Sequence, residues 1–343
     1  MSTMIPDMMY ASIMAEEGTL VYDLMPSPDL VQGEVIVKIH ALTANVEDVL
    51  YRNDRYSIQK DLPHILGSNA VGEIVAIAED VKEWSIGDRV VFVYDALGVE
   101  RNGTYAEYVA VPARYLGHIP QAMGYQEAVL AGYALCRAWS GLTYQARIRK
   151  REVVVINGAS TPLGLASMAI ANWKEATIIA IDKPERASQL KEAGATIVLD
   201  ENSADLLTLI LTITDDASAS LVVDLLGAGS LMQSIEFLAF DGRVLSLATY
   251  NGDVANINLQ DLMSINGSLV TGTDMLKAGD MEKLLGMLAD GSLTIPIDSI
   301  LPLSQAHDAH QRLENDDDFG LIVLIPDALY HKPNSHTIEV ELE

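Results

Sequence analysis

The stretch EVVVINGASTPLGLASMAIANWKEATIIAID, residues Glu152 to Asp182, decides the fold. It opens with a short run of β-branched residues, Val153 to Ile156, as expected of a parallel strand buried on both faces. After the turn at Asn157-Gly158, apolar residues recur at helical spacing, and a second buried strand is predicted from Thr177 to Ile181. The stretch is therefore predicted to be one β-α-β unit, as in a parallel, doubly wound sheet.

The turn of this unit has features of a dinucleotide-binding loop. A glycine turn between a strand and a helix exposes backbone N–H groups at the positive end of the helix dipole, where a pyrophosphate can bind. Asp182 closes the second strand about 20 residues beyond the turn, where an acidic residue holds the adenosine ribose hydroxyls. The glycine pattern is incomplete, because Ala159-Ser160-Thr161-Pro162-Leu163 separates Gly158 from Gly164. A bound dinucleotide is the favoured interpretation, and a turn that binds nothing is the alternative.

Length and composition set the frame for the rest of the chain. With 343 residues it is long enough for two domains, and 49% apolar with 20% charged residues is ordinary for a soluble globular protein. The N-terminal segment has no cationic region and no apolar run reaches the length of a bilayer span, so a cytoplasmic location is expected. A net charge of −26 makes nucleic acid and membranes poor partners. Cys136, the single cysteine, excludes an intrachain disulfide.

Further motifs extend beyond the β-α-β unit. They are Asn45-x-x-Asp48 with Tyr56 eight residues on, Gly67 to Gly72 leading into GDRVV, GTYAEYV from Gly103, and LVVDLLG (Leu221 to Gly227) followed by DGRVLSLA. With these motifs the chain, from about Gln32 to Ile325, resembles the medium-chain dehydrogenase/reductase superfamily. The specific likeness is to its zinc-free branch of quinone oxidoreductases and 2-enoyl-thioester reductases.

The resemblance implies an α/β fold with a GroES-like β domain and a Rossmann doubly wound parallel-sheet domain inserted into it. The expected limits are residues 1–118 for the N-terminal part of the GroES-like catalytic domain, 119–291 for the Rossmann nucleotide-binding domain, and 292–343 for the return to the catalytic domain and the C-terminal tail. A homodimer through the last Rossmann strand is usual in this family and is expected here.

The same resemblance implies the site residues. Tyr56 falls where the enoyl-thioester reductases keep an active-site tyrosine, whose phenol can donate a hydrogen bond to a developing enolate; an aromatic wall of the cleft is the alternative. Asn45 resembles the asparagine near the nicotinamide ribose, and a cap of the following helix is the alternative. Asp48 is then expected to be structural. Cofactor contacts are expected at Gly158, Ala159, Ser160, Thr161, Pro162, Leu163, Gly164, Arg137, Asp182, Arg186, Gly227, Ala248 and Thr249.

Two positions depart from the family pattern and bear on the cofactor. Arg137 stands where a threonine normally faces the nicotinamide, and Thr161 stands where the phosphate loop normally has glycine. NADH is favoured over NADPH, because Asp182 would repel a 2′-phosphate. Lys183 and Arg186 keep NADPH as the alternative.

No metal is expected. Zinc-dependent relatives have a cysteine and a histidine where this chain has Asn45 and Ser68, and they have a four-cysteine lobe that this chain lacks. His307 and His310 are interpreted as surface residues, and the acidic run from Glu314 to Asp318 as a solvated turn.

The sequence therefore predicts a zinc-independent oxidoreductase that transfers hydride from a nicotinamide dinucleotide to an electron-poor C=C bond, in an enoyl thioester or enone, or to a quinone. One alternative is a protein of this fold that has lost redox chemistry and binds or scaffolds. Another is a trans-acting enoyl reductase of a polyketide-type pathway, acting on chains bound to an acyl carrier protein. Such an acidic carrier would need a basic patch, for which Arg147 to Arg151 is the dense candidate; a solvated turn is the favoured interpretation of that run.

Overall fold

The computed structural model describes residues 5–16, 18–55, 61–272, 276–316 and 318–331. The first part of the chain is rich in strands, as predicted. Its elements are β1 (Met8–Glu16), β2 (Thr19–Pro26), β3 (Glu34–Ala44), α1 (Val46–Arg52), β4 (His64–Ile65), β5 (Asn69–Ile77), β6 (Arg89–Val93), β7 (Tyr108–Pro112) and β8 (Leu116–His118).

Strands and helices alternate in the middle of the chain. Its elements are α2 (Tyr125–Ala128), α3 (Tyr133–Ser140), β9 (Val153–Asn157), α4 (Pro162–Trp173), β10 (Thr177–Asp182), α5 (Ala187–Glu192), β11 (Ile197–Asp200), α6 (Leu206–Ile213), β12 (Ala219–Asp224), α7 (Leu231–Glu236), β13 (Leu238–Ser246), α8 (Leu259–Ser264), β14 (Ser268–Thr271) and α9 (Asp280–Ala289). The last part contains β15 (Ile297–Pro302), α10 (Ala306–Asn315) and β16 (Leu321–Ile325).

The middle part forms one six-stranded sheet in the order β11-β10-β9-β12-β13-β14, with every pair parallel. The order of strands reverses beside β9, which is the mark of a doubly wound sheet. Its central strands are apolar on both faces, because helices cover the sheet on both sides. Val154, Val155 and Ile156 of β9 are fully buried, and α4 buries nearly all of its residues between the sheet and α3. The predicted Rossmann fold is confirmed.

The first and last parts of the chain share the remaining strands. A seven-stranded sheet has the order β15-β16-β3-β5-β6-β8, with β7 paired to β3, and a second sheet has the order β2-β1-β4. β16 lies antiparallel to β3, so the end of the chain returns to the GroES-like domain. The predicted inserted arrangement is therefore present, while the residue limits 118 and 291 stay a prediction.

Candidate active site

A cleft of about 360 Å³ opens where the order of the parallel strands reverses. β9 pairs with β10 on one side and with β12 on the other, so the loops that follow β9 and β12 diverge at this point. Open α/β sheets bind their ligands at such a switch point. Gly158, Thr161 and Tyr250 line the Rossmann wall of the cleft, and Val49 of α1 and Leu313 of α10 line the GroES-like wall.

The loop after β9 makes hydrogen bonds within itself. Gly158 has a φ of +83°, a left-handed conformation that favours glycine. Thr161 caps α4, because its Oγ1 accepts from the N–H of Gly164 at 3.1 Å and donates to the carbonyl of Gly158 at 2.8 Å. Pro162 is the first residue of the helix and has no N–H to offer. Of the backbone N–H groups that could face a pyrophosphate, that of Gly164 is therefore occupied by Thr161, and residue 162, a proline, has none.

Other residues of this loop serve packing. A Cβ at Gly164 would lie 2.4 Å from the carbonyl oxygen of Gly158, so only glycine lets the helix approach the strand this closely. Ala159 and Leu163 are buried in the core and present no side chain to the cleft. The expected contacts of these residues with a cofactor stay predictions. Any contact by Ala159 or Leu163 has to use the backbone.

Asp182 fixes the position of the loop. Its side chain lies at the end of β10 and is 4% exposed. Oδ2 accepts from the N–H of Ser160 at 2.7 Å, and Oδ1 accepts from Oγ of Ser160 and from the N–H of Lys183, both at 2.9 Å. Hydrogen bonds to a carboxylate are stronger than neutral ones, so three of them orient the loop firmly. The ribose contact expected of Asp182 stays a prediction, and the loop contact is a role that the sequence did not reveal.

The acidic turn after α10 reaches across to the Rossmann domain. Oδ1 of Asp316 accepts from Nη1 of Arg186 at 2.8 Å, and its Oδ2 lies 2.5 Å from Nζ of Lys183. Arg186 also donates to the backbone carbonyl of Asp316 and to Oγ of Ser160. Burial raises the pKa of Asp318 to about 6, with the nearby Asp316 carboxylate as the next cause. The interpretation of this run as a solvated turn is therefore wrong for Asp318, which is buried, and for Asp316, which pairs with two cations, whereas Glu314 and Asn315 are exposed.

Arg137 joins α3 to the end of β13. Its Nε donates to the carbonyl of Leu247 at 2.7 Å, and its Nη1 donates to the hydroxyl of Tyr133 at 2.9 Å. Leu247 directly precedes Ala248 and Thr249, so this arginine positions the segment where cofactor contacts are expected. A threonine is too short to make this link. Contact of Arg137 with a cofactor stays a prediction.

Gly227 brings two loops of this edge together. It has a φ of +86°, and a Cβ there would lie 2.7 Å from Cα of Thr249. Its N–H donates to Oδ1 of Asp224 at 2.8 Å, and Asp224 also accepts from the hydroxyls of Ser230 and Ser234. The loops after β12 and β13 therefore lie against each other at the same edge of the sheet as Gly158.

Asn45 directly precedes α1 and is buried. Its N–H donates to Oδ2 of Asp48 at 3.1 Å, which is the half of a capping box made by the third helical residue. Its side-chain amide donates to the carbonyl of Thr43 and to Oδ1 of Asn69, both at 3.1 Å. These contacts give Asn45 a structural role at the start of α1. Its contact with a nicotinamide ribose stays a prediction.

A buried polar network links α1 to α10. The hydroxyl of Tyr105 donates to Oδ2 of Asp48 at 3.2 Å and lies 3.0 Å from Nε2 of His310. Burial raises the pKa of Asp48 to about 7, partly offset by hydrogen bonds from Asn45 and Tyr105. Burial lowers the pKa of His310 to about 3, because the charged imidazolium would lose its hydration and face Arg52.

The interpretation of His310 as a surface residue is wrong, because the side chain is fully buried. His307 is half-buried and shares a hydrogen bond with Gln311. The apolar face of α10 consists of Ala306, Ala309, His310 and Leu313. The spacing i, i+3, i+4, i+7 is that of a core-facing helix stripe, so the sequence did carry a signal that His310 points inward.

The remaining expectations concern Tyr56, metals and membranes. Tyr56 lies outside the described residues, so its place in the cleft stays a prediction.

No three histidine, cysteine, aspartate or glutamate side chains cluster as metal ligands in the described part of the chain. Cys136 is a core residue whose thiol contacts the carbonyl of Ala131 at 3.2 Å. Across the same described ranges, no helix is both long and apolar enough to span a membrane.

The basic run from Arg147 to Arg151 precedes the amino end of β9, whereas the cleft lies at the carboxyl ends of the strands. The run directly precedes β9, whose other end carries Gly158, and the five residues of this strand span about 16 Å. Lys150 and Arg151 both pair with Glu175 on the surface. A partner that docked on this run would therefore bind far from the cleft.

Comparison with known proteins identifies related sequences along most of the chain. Residues 31–121 match the family "Alcohol dehydrogenase GroES-like domain", and residues 162–290 match the family "Zinc-binding dehydrogenase". The Nematostella vectensis protein "Quinone oxidoreductase-like protein 2 homolog" is 25% identical, covering 92% of this chain and 88% of the relative.

Two further similar proteins are a long synthase and a solved structure with bound NADPH. The Mycobacterium tuberculosis protein "Phthioceranic/hydroxyphthioceranic acid synthase" is 27% identical over 85% of this chain, which spans 14% of that much longer protein. A solved structure described as mycobacterial Rv1454c complexed with NADPH has a TM-score of 0.84 and 25% identity, covering 93% of this chain and 100% of that chain.

Proposed function

The chain belongs to the medium-chain dehydrogenase/reductase superfamily, and from this premise we propose that it is a zinc-independent oxidoreductase. In this proposal it transfers hydride from a nicotinamide dinucleotide, NADH in preference to NADPH, to an electron-poor C=C bond in an enoyl thioester or enone, or to a quinone. The observation that carries the proposal is the cleft at the strand-order reversal, which has the glycine-bounded loop after β9 on one wall and the GroES-like domain on the other. We propose a cytoplasmic homodimer that forms through the edge strand β14.

The residues of the cleft fit a dinucleotide. Its volume lies within the range of about 300–1,000 Å³ that is usual for cofactor and ligand sites. Gly158 and Gly227 add no side chain to the two loops at this site, so the backbone there is open to a dinucleotide. The hydroxyl of Ser160 already donates to Asp182 and that of Thr161 to the carbonyl of Gly158, so the loop would contact the pyrophosphate through its backbone. Asp182 would hold this loop in position while the dinucleotide binds.

Each polar residue has a defined part in the proposed reaction. When bound, the nicotinamide supplies hydride to the β-carbon of the acceptor. Tyr56 would donate a hydrogen bond to the acceptor oxygen, where negative charge develops. Arg137 would keep the segment around Ala248 and Thr249 in place beside the nicotinamide, and Asn45 would contact its ribose.

One observation favours a non-redox alternative. Thr161, Pro162 and Asp182 together use or remove backbone donors that would otherwise bind a pyrophosphate. A loop closed in this way suits a protein of this fold that binds a different ligand or only scaffolds.

The likeness to the phthioceranic/hydroxyphthioceranic acid synthase supports a trans-acting enoyl reductase as a version of the main proposal. In this version the acceptor is a chain carried as a thioester. The location of the basic run from Arg147 to Arg151 argues against carrier docking at that surface, because the run lies at the amino end of β9 and the cleft lies at its carboxyl end. A carrier would have to dock elsewhere.

The proposed reaction is tested with Tyr56→Phe. We expect turnover of an enoyl thioester to fall about 10²-fold to 10³-fold, the usual cost of removing one donor to a developing oxyanion, while NADH binding is unchanged. A quinone acceptor should lose less, because it is already strongly electrophilic. Equal losses with both acceptors would mean damaged packing, and no loss with either would remove Tyr56 from the reaction.

A further inference from the structure

Asp316 forms ion pairs with two cationic residues that follow β10, Lys183 and Arg186. Its carboxylate lies 2.8 Å from Nη1 of Arg186 and 2.5 Å from Nζ of Lys183, and Arg186 also binds its backbone carbonyl. The contact joins the two domains, because Asp316 ends α10 of the GroES-like domain while both cations belong to the Rossmann domain. The Asp316 hydrogen bond is the main cause that raises the pKa of Lys183.

The surroundings of this contact are strongly acidic. Among the described residues that line the cleft, Lys183 is the only cation, whereas Asp182, Glu201, Glu314, Asp316 and Asp318 also line it. A bound anion in this region therefore has few positive partners. Lys183 and Arg186 already have Asp316 as a shared counter-ion.

The contact of Asp316 with Lys183 and Arg186 lies where the adenosine ribose of a dinucleotide is expected to bind. In Rossmann domains the adenosine ribose lies at the end of the second strand, here β10, and a 2′-phosphate is accommodated by a nearby cation. Lys183 and Arg186 directly follow the end of β10, so they are the groups that a 2′-phosphate would need. A ribose hydroxyl is neutral and needs neither of them.

We propose that Asp316 is a specificity-determining residue, which selects NADH against NADPH by occupying Lys183 and Arg186 in the place of a 2′-phosphate. This inference rests on the proposed function. NADPH must displace the Asp316 carboxylate, break a contact between the domains, and leave a second anion beside its own phosphate. NADH binds with the contact intact.

The test uses Asp316→Asn. Asp316 has a φ of +53°, and asparagine tolerates this left-handed conformation as well as aspartate does, so the end of α10 is retained. The matched control is Asp308→Asn, which makes the same change of charge at an exposed position on the same helix. Binding is measured by calorimetry with NADH, NADPH, AMP and adenosine 2′,5′-bisphosphate, without any acceptor. Far-ultraviolet circular dichroism checks that each variant is folded.

We expect wild-type protein to bind NADH more tightly than NADPH. Asp316→Asn should tighten NADPH and adenosine 2′,5′-bisphosphate about 10-fold to 100-fold, the effect of releasing charged hydrogen-bond donors, and should leave NADH and AMP nearly unchanged. Asp308→Asn should change none of the four affinities. In the double variant Lys183→Ala with Asp316→Asn, the gain in affinity for NADPH and the bisphosphate should shrink, because only Arg186 is then left to bind the 2′-phosphate.

Equal tightening of NADH and NADPH in Asp316→Asn would overturn the proposal, as would an unchanged affinity for adenosine 2′,5′-bisphosphate. The fragments separate this failure from failure of the proposed function. If neither dinucleotide binds but the bisphosphate binds more tightly to Asp316→Asn than to wild type, Asp316 does compete with a phosphate for Lys183 and Arg186, while both the selection between dinucleotides and the proposed redox function fail.

Discussion

Replacing Asp182 with alanine should destabilise the Rossmann domain through the loop after β9. The substitution removes the acceptor of three hydrogen bonds, from the N–H and Oγ of Ser160 and from the N–H of Lys183, and it leaves the N–H of Ser160 buried. Each hydrogen bond to a charged group contributes about 1.5–3 kcal/mol, but bonds that share one carboxylate are not additive. We therefore expect the free energy of unfolding to fall by about 3–5 kcal/mol.

Urea unfolding followed by tryptophan fluorescence measures this loss. Trp139 and Trp173 pack against each other in the Rossmann domain, with ring centroids 5.6 Å apart and ring planes tilted by 43°, and report on its packing. Asp182→Asn keeps one acceptor oxygen and should lose only about 1–2 kcal/mol. Asp200→Ala is the control, because Asp200 is the exposed neighbour of Asp182 in register on β11. Equal urea midpoints for Asp182→Ala and wild type would refute the positioning role.

Three further predictions concern pH, packing and metal. The raised pKa of Asp48 means that the folded protein keeps a proton which the unfolded chain releases, so stability falls as the pH rises from about 4 to about 7. Asp48→Asn should remove this contribution, and its stability relative to wild type should rise across that window by up to about 1.4 kcal/mol per pH unit; a constant difference would contradict it. Gly164→Ala should destabilise by about 1–3 kcal/mol in urea unfolding because its Cβ meets backbone atoms, whereas Gly286→Ala on α9 meets open space and should not. Elemental analysis should find no stoichiometric zinc, and a chelator should leave the melting temperature unchanged; one zinc per chain would contradict the zinc-free assignment.

The β-α-β unit was predictable because its signals are local. The β-branched run predicted from Val153 to Ile156 is strand β9, and the second strand ends at Asp182 as expected. Thr161 and Pro162 start α4 by the ordinary rules for a cap and a first helical residue. The strand run, the helix cap and the proline at the first helical position are each set by residues close together in sequence, so they can be predicted without knowing the tertiary structure.

The contacts of the acidic turn and of His310 depend on tertiary packing. Both were interpreted from the sequence as exposed, but α10 packs against α1, which buries His310 beside Tyr105, and the turn after α10 brings Asp316 to Arg186. The partners of Asp316 are about 130 residues away in sequence, so no local pattern identifies them. The helical spacing of the buried α10 residues was the one usable signal, and it applied to His310 alone.

Hydride transfer itself is tested most directly with NADH deuterated at C4. The protein is mixed with an excess of deuterated NADH and a stoichiometric amount of an enoyl thioester, and the product is analysed by mass spectrometry. With NADH labelled separately at the pro-R and at the pro-S position of C4, the account predicts a saturated thioester that carries one deuterium at its β-carbon from one isomer and none from the other. Unchanged enoyl thioester, together with a quinone that the same deuterated NADH leaves unreduced in a parallel reaction, would contradict the account and would favour a protein of this fold without redox chemistry.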